Sequence, residues 1–318
     1  MLMESLKITG AAMAQIFFLA AVGYFLVKRN ILGPDGLSAL SRLVVEITLP
    51  LLIFCQLLKE FSFRLYPNWW FFPLISIVIA LAGLTIGLIF MGFIRGQQHK
   101  LQFLGLISFQ NAGYLPLALI AALLPKEKAD TMFVYLFLFL LGFNLVIWSA
   151  GVYLLTFSRA KRFELGSLFS PPVIAAAAGL AFVFFSLNKF VPEAAFKPLS
   201  LIGNCTLPLA MFVVGGNLAQ IHLGSIDKKA IFLLSLAKLV ILPLAGVWLI
   251  LRFGFPELVG LLILMQLAMP SATTLSLITS HYKKEDLLIS QGVFFSHIFS
   301  LITMPVFLSL YFARVMIK

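Results

Sequence analysis

Charge is what this chain has least of: Asp, Glu, Lys and Arg together make up 11% of its 318 residues, where a soluble domain carries about 25%. With 61% hydrophobic residues and a mean hydropathy of +1.06, most of its surface has to face lipid rather than water. Cysteine is almost absent. Cys55 and Cys205 both lie inside apolar segments, which excludes a disulfide framework and makes them packing thiols. The four histidines, His99, His222, His281 and His297, match no His-Glu-x-x-His spacing and accompany no nucleophile-and-base set, which argues against a membrane-embedded hydrolase. Long polar stretches are also missing, so no soluble domain is expected.

What the sequence does contain is apolar runs, each close to the roughly 20 residues that cross a bilayer. They predict spans near 8–27, 36–58, 67–93, 101–123, 131–156, 171–188, 196–219, 229–251, 257–280 and 287–312. The first is too long and ends too abruptly at Lys28 and Arg29 for a cleaved signal peptide. The net charge of +11 comes from Lys and Arg scattered in ones and twos at the ends of these runs, as headgroup anchors are. No basic patch for nucleic acid is present. The longest polar connection, 158–170, falls between the fifth and sixth spans, at the midpoint of the chain.

The two halves echo each other. Thr48-Leu49-Pro50-Leu51 returns as Thr206-Leu207-Pro208-Leu209, an offset of 158 from Pro50 to Pro208. Gln110 and Pro116 in the fourth span return as Gln266 and Pro270 in the ninth, at offsets of 156 and 154. Residues 1–157 therefore read as one five-helix repeat, 158–170 as the central loop and 171–318 as a second repeat. An odd number of spans in each half makes the repeat inverted. The distribution of Lys and Arg leans toward a cytoplasmic central loop with both termini outside.

Proline inside a spanning helix leaves backbone groups that lipid cannot satisfy, and such breaks are tolerated beside a cavity or inside protein. The fourth span carries Gln110, Asn111, Gly113, Tyr114 and Pro116 where mid-bilayer is expected. The ninth carries Gln266, Pro270, Ser271, Thr273 and Thr274. Two broken helices crossing there would aim half-helix dipoles at the midplane, and these ten residues are the candidate substrate site. Ionisable residues inside spans are Arg42, Glu46, Lys238 and His297. Arg42 and Glu46, four apart, suit a local ion pair. Lys238 requires a carboxylate such as Glu46, a set of carbonyls or a cavity, so Glu46 and Lys238 are candidate supporting charges. His297 reads as a hydrogen-bonded packing residue.

Taken in order, these residues resemble the auxin efflux carrier family, which includes plant auxin exporters and bacterial carriers of malonate or malate type. The resemblance rests on Leu49-Pro50-Leu51-Leu52, Asn111-Ala112-Gly113-Tyr114 with Pro116, Ser170-Pro171-Pro172, Thr206-Leu207-Pro208-Leu209 with Gly215 and Gly216, Lys238 with Pro243, Met269-Pro270 and Thr303-Met304-Pro305. It implies an all-α polytopic protein of ten helices, the fold shared with bile-acid symporters and sodium/proton antiporters. Substrate would bind where the fourth and ninth spans cross, and transport would be of the elevator type. Plant members carry a second asparagine where this chain has Tyr114, and none stands among Ser271 to Thr274, a departure that weighs against auxin.

The reading is a multi-pass transporter of the cytoplasmic membrane for a small organic anion, a carboxylate, with no cofactor, no metal and no enzymatic activity. A sodium- or proton-coupled carrier of another solute and a membrane receptor without transport are the alternatives. Partners would be the anion, membrane lipid, optionally a coupling sodium ion or proton, and optionally a second copy in a homodimer.

Overall fold

A computed structural model describes residues 2–156, 169–221, 223–281 and 287–316. All elements among them are helical apart from one isolated antiparallel bridge. Helix α1 covers Leu2–Lys28. A second rod runs through α2 (Pro34–Leu43), a π turn at Val44–Thr48 and α3 (Leu49–Glu60). Then come α4 (Phe71–Met91), α5 (Gln97–Ser108), α6 (Tyr114–Leu123), and α7 (Lys126–Val146) continued by a π turn and α8 (Val152–Thr156). The second half holds α9 (Pro171–Phe184), α10 (Glu193–Asn204) with α11 (Thr206–Gln220), α12 (Lys228–Leu236) joined by a π turn at Ala237–Ile241 to α13 (Leu242–Phe253), α14 (Glu257–Ala268), α15 (Thr274–His281) and α16 (Leu287–Tyr311).

Seven of these helical stretches are long and apolar enough to cross a membrane, and the chain is a polytopic membrane protein. All ten apolar runs read from the sequence are helical, but the fourth and ninth are each split into two half-helices, α5/α6 and α14/α15. The sixth ends early, at Phe184, because Ser186 takes a left-handed φ of 57° and a 3-10 turn follows. The central loop expected at 158–170 lies outside the described residues except for its last two.

Proline explains much of the punctuation. Pro125, Pro192 and Pro256 stand immediately before α7, α10 and α14, where a missing N–H leaves nothing unpaired. Mid-rod prolines act differently. The Pro ring collides with the carbonyl four residues back, and at Pro50 and Pro243 the helix widens into a π turn just upstream, Val44–Thr48 and Ala237–Ile241.

Packing depends on small residues, because lipid supplies no hydrophobic drive between helices. α1 meets α11 so closely that a Cβ at Gly23 would strike the Phe212 backbone, and one at Gly215 would strike the Ala20 carbonyl. Gly142 of α7 meets the Pro73 carbonyl and Ser76 Oγ of α4 in the same way. α1 is also tied to α16: Thr9 Oγ1 lies 2.7 Å from Ser309 Oγ and donates to the Pro305 carbonyl at 3.2 Å, all of it buried. Outward-facing Phe18 and Ile302 are 72% and 71% exposed, an exposure that suits lipid contact. By contrast α5 is buried continuously from Gln102 to Ser108, and α14 from Gly260 to Ala268. Helices buried on every face form the centre of a bundle. The two split helices are therefore its core.

Candidate functional site

The breaks at 109–113 and 269–273 lie against each other. Around the Gln110–Ser271 bridge, Asn111 N donates to the Pro270 carbonyl at 2.8 Å and Ala272 N to the Phe109 carbonyl at 3.0 Å. Each break thus satisfies backbone groups of the other, as non-helical backbone at membrane depth requires. Pro270 sits in its break, whereas Pro116 stands in the first turn of α6, where its missing N–H costs nothing. The fourth-span break precedes its proline and is completed from across the crossing.

Side chains lock the crossing further. Gln110 Nε2 donates to Gln266 Oε1 at 3.4 Å, and Gln266 Nε2 donates to the Ala112 carbonyl at 3.0 Å. Ser271 Oγ donates to the Leu106 carbonyl at 2.8 Å, and Ser271 N donates to Ser296 Oγ of α16 at 3.1 Å. Lys238, buried in the π turn between α12 and α13, donates from Nζ to the Ile107 carbonyl at 2.6 Å. Leu106 and Ile107 belong to the last turn of α5, so the negative pole of that half-helix is capped by the Ser271 hydroxyl and the Lys238 side-chain nitrogen.

The opposite poles remain open. α6 begins after Gly113, which offers no side-chain cap, and α15 begins at Thr274. Gly113, Tyr114, Thr273 and Thr274 are partly exposed at these N-termini, while Gln110, Asn111, Gln266, Pro270 and Ser271 are buried behind them. No carboxylate forms an ion pair at the crossing among the described residues. The positive dipole ends of two half-helices meet there with no ion-paired acid among the described residues, an arrangement that suits anions.

Nine of the ten residues singled out in the sequence thus gather at or beside the breaks, with Pro116 in the first turn of α6. Lys238 reaches the crossing through a carbonyl rather than through Glu46. Glu46 lies apart, an exposed partner of Arg42 Nε at 3.1 Å. His297 is a buried, hydrogen-bonded residue as the sequence suggests, and one of its partners belongs to the crossing: its Nε2 lies 3.4 Å from Asn111 Nδ2. The sequence offered a small signal for it: Gln291, Ser296 and Ser300 lie near it on the same helix.

A profile of the membrane transport protein family matches residues 9–166 and 159–308. The chain belongs to this family, that of the auxin efflux carriers. Relatives match the carrier at low identity along nearly its whole length. It is 22% identical to Protein PIN-LIKES 1 of Arabidopsis thaliana over 360 residues, covering 92% of this chain and 76% of that protein. An uncharacterized transporter of Methanothermobacter thermautotrophicus is 24% identical over 295 residues, 91% of this chain and 94% of its own. One from Methanocaldococcus jannaschii is 23% identical over 303 residues, 90% and 94%. Both archaeal relatives are described as transporters, in keeping with the family.

Proposed function

We propose that the protein is a secondary transporter of small organic anions, carboxylates foremost, across the cell membrane, with the substrate held at the crossing of α5/α6 and α14/α15. The observation that carries this is the asymmetry of the crossing: the C-terminal pole of α5 is capped by Lys238 and Ser271, while α6 starts without a side-chain cap and the starts of α6 and α15 are partly exposed. A carboxylate offers two strong acceptors to such N–H groups. Asn111, Gly113, Tyr114, Thr273 and Thr274 are its nearest contacts on this reading, and Gln110, Gln266 and Ser271 hold the frame.

On the same proposal the helices form ten spans in two inverted repeats. Exchanging the first five segments with the last five turns the contact of α1 with α11 into that of α9 with α3, and the contact of α4 with α5 into that of α13 with α14, and all four contacts occur. The threonines of the repeated Thr-Leu-Pro-Leu, Thr48 and Thr206, are both buried with hydroxyls that lack a protein partner. An elevator-type movement would carry the crossing past α1, α3, α9 and α11. Coupling to sodium or protons would be an added property of the same site, tested by imposing either gradient across proteoliposomes.

Thermal denaturation in detergent, screened against small mono- and dicarboxylates, indole acids and sodium, tests the reading. Ligand at roughly 100 times its Kd stabilises the folded state by about 2.7 kcal/mol. One anion class is expected to raise the midpoint, and Asn111→Ala to abolish the rise. Indifference to every organic anion would overturn the proposal.

A further inference from the structure

His297 is wholly buried on α16, with Nδ1 2.8 Å from the Val293 carbonyl oxygen and Nε2 3.4 Å from Asn111 Nδ2. No carboxylate pairs with it among the described residues, and an isolated charge at this depth is costly, so the ring is neutral. A carbonyl can only accept, so the proton resides on Nδ1 and Nε2 is a bare acceptor. The Asn111 amide must then turn its NH2 to the ring, since its oxygen there would set two acceptors against each other. The amide is no longer free to rotate by half a turn.

This orientation leaves Asn111 Oδ1 on the other edge. No protein donor reaches Oδ1 among the described residues, yet it is absent from the sealed side-chain atoms without partners, unlike Gln110 Oε1 on the next residue. It is therefore an acceptor kept open at the break, one residue from Ala112 and two from the uncapped start of α6. Resting on the carboxylate reading above, we propose that His297 is a positioning residue that fixes the Asn111 amide with its oxygen toward the substrate, so that the preferred anion carries a hydrogen-bond donor beside its carboxylate. The carboxylate meets the N–H groups of the half-helix starts, and a hydroxyl or N–H of the same molecule donates to Asn111 Oδ1.

Malate and succinate differ by a single hydroxyl and serve as probes, with radiolabelled uptake measured in proteoliposomes. The wild type is expected to favour malate by about tenfold in KM, the worth of one hydrogen bond, with similar kcat. His297→Gln, whose side-chain carbonyl can take the Asn111 N–H, retains the preference, and His297→Leu loses it. A wild type that transports both without preference, or a preference untouched in His297→Leu, overturns the assignment. If neither acid is transported, these two dicarboxylates are excluded as substrates, the carboxylate reading is decided by the wider anion screen, and the contact is judged without substrate. In protein with His99, His222 and His281 replaced, the 15N resonances of His297 should report a protonated Nδ1 and a bare Nε2, the latter moving in Asn111→Leu. The opposite tautomer, a doubly protonated ring or an Nε2 resonance indifferent to Asn111→Leu overturns the proposal whatever the substrate is.

Discussion

The most consequential single residue outside the substrate contacts is Lys238. Among the described residues its side-chain nitrogen pairs with no carboxylate, and its hydrogen bond closes the last turn of α5 at Ile107. Lys238→Met preserves length and apolar stem but leaves that carbonyl without its donor, a loss of roughly 1–3 kcal/mol. Thermal denaturation in detergent should show the lowered midpoint, while carboxylate affinity falls less than in Asn111→Ala. Ser271→Ala removes the donor to the Leu106 carbonyl and is expected to destabilise by a similar 1–3 kcal/mol or so. That Lys238 needs a partner was legible in the sequence, because a cation deep in an apolar run cannot stand alone. Which partner was not. A backbone carbonyl leaves no mark in the sequence, and the plausible acid, Glu46, was already engaged by Arg42 four residues away.

Among the elements, the ten apolar runs and both breaks were readable because lipid imposes one rule on every span: keep the backbone paired inside. The π turns were not readable as such, although two of the three mid-rod ones precede a Leu-Pro pair, at Pro50 and at Pro243. The position of the fourth-span break was displaced for a related reason. Pro116 sits where proline is harmless, and the residues that leave the helix, 109–113, do so because the ninth-span break supplies their hydrogen bonds. Contacts between elements are most sensitive at glycines. Gly215→Leu would drive a side chain into the Ala20 carbonyl of α1, and Gly142→Leu into the Pro73 carbonyl of α4. Overpacking of this kind destabilises by about 1–3 kcal/mol or more. Both variants should show reduced yields of monodisperse protein in size-exclusion chromatography, whereas Gly10→Leu, whose Cβ would meet nothing within 4 Å, should behave as wild type.

Seen as a whole molecule, the core is the crossing, and α1 borders it across a loosely filled space. A cleft of about 640 Å³ lies among α1, α6 and α11, lined by alanines of α1 and α6 together with Phe18, Leu19 and Leu207, with Gln15 as its polar member. Dense packing holds α1 to α11, whereas α1 and α6 face each other across this cleft through Ala11, Ala14, Ala118, Ala121 and Ala122. If α6 slides past α1 during transport, joining Ala14→Cys to Ala118→Cys with a short bifunctional reagent, in protein lacking Cys55 and Cys205, should arrest uptake while leaving substrate binding intact. Undiminished uptake in the linked protein would exclude such sliding. The ladder between the breaks meanwhile furnishes a clock. The amide protons of Asn111 and Ala272 are both held across the crossing, and they exchange with solvent deuterium only when the two breaks part. Their survival through many rounds of turnover would mean that the crossing travels as a closed unit, and their loss would mean that it opens on every trip.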